Sequence, residues 1–261
     1  VTPLRLLLHQ LRYEQLLYWR SPSSAVFTFA LPIVMLVIFA SINRDTRVQA
    51  LAGLGYTQYF VPGMVAFSVM SACYTQLGIA LCFRRDQGVL KRLRGTPLPA
   101  WAFMAATVGS CLVVSAILVV LTTAVGVLFY GVVFPGRWAA LGLSLAVGAY
   151  CFCALGLAVT TLVRHAHAAP AVVNGLFFPV LFASGVFWPL HPGSLLDRLA
   201  GLFPVRPFHQ ALLGAFLPGG PGTGIEAGAL AVLAAWGTAG LVIAARRFRW
   251  DPALDRPQAR G

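Results

Sequence analysis

Charge is scarce in this chain. Only 10% of its 261 residues are Asp, Glu, Lys or Arg, and Asp plus Glu number seven. A soluble domain carries about 25% charged residues, so one soluble core with a polar cover is excluded. Lysine is almost absent, and Lys91 has no glycine pattern before it, so no phosphate-cradling G-x-x-x-x-G-K-[ST] loop exists. No H-E-x-x-H or G-x-S-x-G occurs, and the few carboxylates are too scattered to form an acid–base pair. The expectation is a chain that is not an enzyme, with no catalytic, cofactor-binding or metal-binding residues of its own.

The apolar runs themselves hold almost no Asp, Glu, Lys or Arg. Ion- and proton-driven carriers place such groups at membrane depth, so a carrier of that kind is disfavoured. The five cysteines (Cys73, Cys82, Cys111, Cys151 and Cys153) all lie inside apolar runs. They read as small buried hydrophobes, without a zinc spacing or a disulfide framework. The His165-x-His167 pair has no further ligands nearby in sequence and reads as a polar connection.

What is abundant is apolar sequence. Residues of the AVILMFWYC set make up 59% of the chain, and mean hydropathy is +0.80. They come in long runs with charges confined between them, the arrangement a bilayer demands. The fold class expected is an all-α membrane protein with six transmembrane helices. The spans fall at about 23–42, 58–83, 101–130, 138–163, 169–188 and 225–245. Pro32 lies within the first, and Gln76 in the second is expected to face other helices. The first run begins too deep to read as a cleaved signal peptide.

Three segments do not span. Residues 1–22 place Leu4, Leu7, Leu8, Leu11 and Leu16 near helical spacing among Arg5, His9, Arg12 and Glu14, which predicts an amphipathic interfacial helix. Residues 189–224 hold six prolines, with Asp197 and Arg198 between two short apolar stretches, which predicts short re-entrant helices. Residues 246–261 form a basic tail, and Glu226 sits where a carboxylate favours the start of the last helix.

Net charge is +12, but the basic residues cluster at the ends of apolar runs, which argues for topology rather than nucleic acid. Of the 19 Lys and Arg, 14 fall on the side of the N-terminus, the 84–100 loop, Arg164 and the tail. Five (Arg44, Arg47, Arg137, Arg198 and Arg206) fall on the other. This asymmetry places both termini and the 84–100 loop in the cytoplasm.

That loop is the densest charge cluster in the chain. Val89, Leu90 and Leu93 share one face of a short helix, with Lys91, Arg92 and Arg94 elsewhere on it, and Pro97 breaks it. Such a helix offers a rigid knob to a cytosolic partner; a basic loop that only fixes topology is the alternative.

The stretch R-R-D-Q-G-V-L-K-R-L-R-G-T-P-L-P-A-W, from Arg84 to Trp101, resembles the cytoplasmic-loop signature of ABC-2 type transporter permeases of the daunorubicin-resistance exporter group. Asn174 to Leu190, ending S-G-x-x-x-P-L, resembles the fifth span of that family. Leu199 to Leu212, with Phe203-Pro204 and His209, resembles the segment that follows it. The likeness covers nearly the whole chain. It departs at Asp86, where relatives commonly have Glu, and at Val205-Arg206-Pro207, which puts a charge in the re-entrant region.

The resemblance implies the membrane subunit of a bacterial plasma-membrane exporter for a drug, lipid or glycolipid. A separate ATP-binding subunit would carry ATP and Mg, and a second permease copy or paralogue would complete the path. Asp86, Gly88, Leu90, Arg92, Leu93, Thr96 and Pro97 would form the coupling contact to that ATPase. Gly88 would allow a turn or close approach, and Arg92 would pair with an acidic group of the ATPase. The path candidates are Phe67, Met70, Tyr74, Asn174, Phe177, Phe178 and Phe182. A polysaccharide or teichoic-acid exporter, or a membrane sensor or assembly protein that moves nothing, are the alternative readings.

Overall fold

The chain is described by a computed structural model covering residues 3–20, 22–44, 46–48, 54–93, 99–191, 193–217 and 223–247. Side chains at 3, 22–25, 27, 48, 54, 90, 93 and 100 lie outside that description. Five helical stretches are long and apolar enough to cross a membrane: Tyr56–Asp86, Trp101–Tyr130, Trp138–Val159, Ala166–Ala183 and Ala227–Arg247. A shorter apolar helical stretch covers Thr28–Ile42.

In chain order, helix α1 (Pro3–Trp19) precedes α2 (Pro22–Ile42), which contains Pro32 without breaking. Among the described residues, the polar connection after α2 holds a strand pair. Two-residue strands β1 (Arg47–Val48) and β2 (Leu54–Gly55) pair antiparallel, with Arg47 opposite Gly55. The next helix runs as α3 (Tyr56–Met70), a π-helical turn (Ser71–Gln76) and α4 (Leu77–Asp86). Then follow α5 (Val89–Leu93), α6 (Ala100–Tyr130), α7 (Trp138–Val159) and α8 (Ala169–Ala183). The short helices α9 (Leu195–Leu202) and α10 (Val205–Phe216) precede the last helix, α11 (Ala227–Arg247).

The bundle has two ends, named here for the strand hairpin and for the α4–α5 loop. The α3–α4 helix is its centre: Phe60, Met64, Met70, Leu77 and Leu81 are all buried. Lipid is as apolar as leucine, so burial alone does not bring membrane helices together, and close packing of small residues does. The α7–α11 contact follows that rule. A Cβ added to Gly237 would lie 2.6 Å from the Tyr150 ring, and one on Gly240 would lie 3.1 Å from the Ala154 backbone. Gly156 of α7 faces Cys73 of the π-turn in the same way, at 2.8 Å from its carbonyl oxygen.

All five cysteines are unpaired and buried in this packing. Helix α6 ends at Gly131, whose φ of 63° is the left-handed cap that glycine adopts without strain.

At the hairpin end, α9 and α10 fold back onto the bundle. Ser194 caps α9 by accepting from the Asp197 amide, and Asp197 accepts in return from the Gly193 amide. Helix α10 is deeply packed: Phe208 presses on Gly148 of α7, and the His209 ring meets Tyr59 edge-on at 4.9 Å. Gln58 ties three segments together. Its amide donates to the Phe216 carbonyl at 2.9 Å, and its oxygen accepts from the Val133 amide at 2.8 Å. The Arg206 charge that stands out in the sequence is matched internally, since its guanidinium pairs with Asp197 and also donates to the Ser184 carbonyl.

Candidate functional site

Two places in the bundle gather the residues singled out above. The first is the loop end. Helix α4 carries Arg84, Arg85 and Asp86 in its last turn, and each has a different structural task. Arg85 is buried and donates to the carbonyls of Thr160 (3.0 Å), Val163 (2.5 Å) and Arg164 (3.3 Å). These carbonyls lie at and beyond the end of α7, where a helix leaves acceptors unsatisfied and a cation is favoured. Asp86 accepts from the amide of Ala166, the start of the 3₁₀ turn that leads into α8. Arg84 reaches the other way. Its guanidinium meets Glu14 of α1 at 2.6 Å and sits over the Phe103 ring of α6 at 5.7 Å.

The sequence marked Arg84 and Arg85 as charges that orient the chain and open the loop signature, with no partner assigned to them, and Glu14 only as a polar residue of an amphipathic helix. A carboxylate within a leucine-rich helix and an Arg-Arg-Asp run at a span end were the available signals. Gln15 adds to the α1 attachment by donating to Ser110 Oγ of α6 at 2.9 Å. Gln76, expected to face other helices, lines a small cavity of about 170 Å³ together with Glu14, Arg84, Thr107 and Ser110 and with apolar neighbours such as Leu17 and Leu77.

Helix α5 projects from this anchored corner. Gly88 has a φ of 68° and an open surrounding, so its role is a sharp turn rather than close approach. Arg92 is exposed and donates to the Gln87 carbonyl at 2.8 Å. Leu90 and Leu93 lie on the α5 backbone, their side chains outside the described set, and Thr96 and Pro97 lie outside the described residues.

The second place is an aromatic ladder between the central helix and α8. Phe177 lies 5.9 Å from Phe67 and 5.9 Å from Tyr74. The ladder continues outward through Phe178 and Phe182 to Phe187. Five of the seven path candidates therefore form one connected set. Phe67, Met70, Tyr74 and Phe177 are buried in the packing, while Phe178 and Phe182 are exposed at the bundle surface. Asn174 is half-buried one turn before Phe178.

Behind the ladder lies the larger cavity, about 580 Å³, a size common for small-molecule sites. Tyr74, Phe152, Phe177, Phe203 and Trp236 line it, with Arg246 and Arg247 at its loop end. Among the described residues, α8 packs on α4 and the π-turn while α11 packs on α7, which leaves this gap between α8 and α11. Trp236 donates its indole N–H to the Leu202 carbonyl at 2.7 Å and thereby closes the far end.

The chain is 23% identical over 168 residues to the inner membrane transport permease YadH of Escherichia coli (strain K12), which is 63% of this chain and 65% of that relative's length. It is 22% identical over 156 residues to the probable multidrug ABC transporter permease YbhR of the same organism, covering 59% of this chain and 42% of the relative. Residues 5–217, from the helix that carries Glu14 to the end of α10, match the ABC-2 type transporter family, and the chain belongs to that family.

Proposed function

We propose that this chain is the transmembrane permease subunit of an ATP-driven exporter in a bacterial inner membrane. It moves a hydrophobic or amphipathic cargo, such as a drug, lipid or glycolipid, out of the cell. In this reading it crosses the membrane six times, α2 being the first crossing, with both termini and α5 in the cytoplasm. A second copy or a paralogue completes the path, and a separate subunit binds ATP and Mg.

The observation that carries the reading is the junction of the two sites on one helix. The central α3–α4 helix holds Tyr74 of the aromatic ladder and, three turns on, the Arg85 and Asp86 anchors beside α5. A push on α5 is therefore delivered to the helix that lines the cavity. The apolar aromatic lining favours an amphiphile over a polysaccharide. The relatives' names, transport permease and multidrug permease, point the same way. In this scheme Asp86 and Gly88 set the angle of α5, while Leu90, Arg92, Leu93, Thr96 and Pro97 meet the ATPase.

The test is reconstitution in lipid vesicles with the ATP-binding subunit of the same host. The chain is expected to stimulate ATP hydrolysis, and Leu90→Asp with Leu93→Asp to abolish stimulation without loss of membrane insertion. Undiminished stimulation by the double variant would overturn the coupling assignment. Absence of any ATP-binding partner for the wild-type chain would overturn the exporter reading itself.

A further inference from the structure

The cavity between α8 and α11 has an apolar lining that the export reading invokes, and a depth and a cationic end that it does not. Its two cationic residues, Arg246 and Arg247, stand together at the loop end, and no carboxylate lines it among the described residues. The remainder of its wall is mostly apolar but includes the polar Thr161, and Leu162, Leu176, Val242 and Ile243 of that wall are exposed at the bundle surface. The groove is thus open sideways.

Its length is set by α11. Trp236 and Arg246 are ten positions apart on that helix, about 15 Å along the axis. That is half of the roughly 30 Å hydrocarbon core. At Trp236 the groove is floored by α9, through the indole bond to Leu202 and the Phe203 ring stacked on Trp236 at 6.3 Å. A sideways-open apolar slot, one leaflet deep and cationic only at its outer mouth, matches one kind of molecule.

We propose that this groove binds one anionic diacyl phospholipid from the leaflet next to the α4–α5 loop. Its phosphate meets Arg246 and Arg247, and its acyl chains lie between α8 and α11 and end at Trp236. Arginine suits the phosphate because its planar fork donates two parallel hydrogen bonds. The basic tail beyond α11 is too polar a sequence to fill the apolar part. The site stands whether or not the chain moves that lipid, and its test does not involve ATP.

The chain has six tryptophans. The full chain with every tryptophan except Trp236 changed to Phe is placed in vesicles of phosphatidylcholine. Phosphatidylglycerol or phosphatidylcholine with brominated acyl chains is then added as quencher. Phosphatidylglycerol is expected to quench Trp236 with an apparent affinity more than about five-fold above phosphatidylcholine. Arg246→Gln with Arg247→Gln is expected to bring the ratio near one. Ala158→Phe, which fills the groove and leaves both arginines, is expected to remove the excess as well.

Equal quenching by the two lipids overturns the proposal, as does an excess that survives either variant. Survival in Ala158→Phe would mean ordinary boundary lipid drawn to a basic helix end. Wild-type chain measured by native mass spectrometry provides a readout free of the tryptophan changes. One phosphatidylglycerol is expected to stay bound when bulk lipid is stripped, and to be lost in the double Gln variant. Wild-type chain that retains none overturns the site.

Discussion

Glu14 and Arg84 form an ion pair at 2.6 Å between the interfacial helix α1 and the loop end of α4, with the carboxylate 3% exposed and the guanidinium 20% exposed. Removing one member of such a pair leaves the other desolvated without a partner, which costs more than the pair itself contributes. Glu14→Gln is expected to destabilise the chain by about 3 kcal/mol. Glu14→Gln combined with Arg84→Met is expected to cost clearly less than the two single changes added together. Thermal unfolding of the four proteins in detergent checks this. Strict additivity would mean that the pair does not hold α1 to the bundle.

Arg85 is the second anchor, and it acts through carbonyls rather than a carboxylate. Lysine keeps the charge but lacks the fork that serves three acceptors at once. Arg85→Lys is expected to raise amide hydrogen exchange at 160–166 while leaving the core of α7 protected. Arg85→Leu is expected to do this and also to lower the unfolding temperature. Unchanged exchange in Arg85→Lys would assign the site to charge alone.

The helical membrane fold and its segment order were legible because long apolar runs and basic run ends are one-dimensional signals. Buried pairing was not, because it depends on which faces meet. Arg206 looked out of place as a charge in a re-entrant segment, yet it closes on Asp197 nine positions earlier, across the α9–α10 corner. The π-turn at Ser71–Gln76 has no signature in composition, since it is an extra residue accommodated by packing against α7. It leaves the Thr75 hydroxyl buried without a partner among the described residues. Of the path candidates, aromatic type and position along α3 and α8 were readable, and Phe67, Tyr74 and Phe177 do meet. Which were buried was not readable: Met70 is wholly enclosed, whereas Phe182 points outward.

His209 gives the fold a pH dependence. Burial holds its imidazole down at about 4; the hydrogen bond to the Tyr59 carbonyl opposes this, and nearby Arg206 adds a smaller push in the same direction as burial. The unfolded chain then binds a proton near pH 6.5 that the folded chain refuses until about 4. Stability is full above pH 6.5 and falls as pH drops from 6.5 to 4, by up to about 3 kcal/mol. The unfolding temperature is expected to fall over that window, and His209→Gln is expected to flatten the slope there. An identical slope in the variant would place the responsible group elsewhere.

Gly156 and Gly142 of α7 offer a matched pair for the close-packing argument. A Cβ at Gly156 would meet Cys73 and Tyr74 backbone atoms at 2.8 to 3.2 Å, and backbone cannot rotate aside as a side chain can. At Gly142 nothing lies within 4 Å. Gly156→Ala is therefore expected to force α7 away from the π-turn and to cost about 1–3 kcal/mol. Gly142→Ala is expected to be neutral or slightly stabilising, because alanine favours the helix by about 1 kcal/mol over glycine. Since the Gly156 contact is on the helix that carries Tyr74, its substitution also displaces the aromatic ladder. If the two variants unfold at the same temperature, the contact of α7 with the π-turn is looser than 2.8 Å implies, and the π-turn is not held by it.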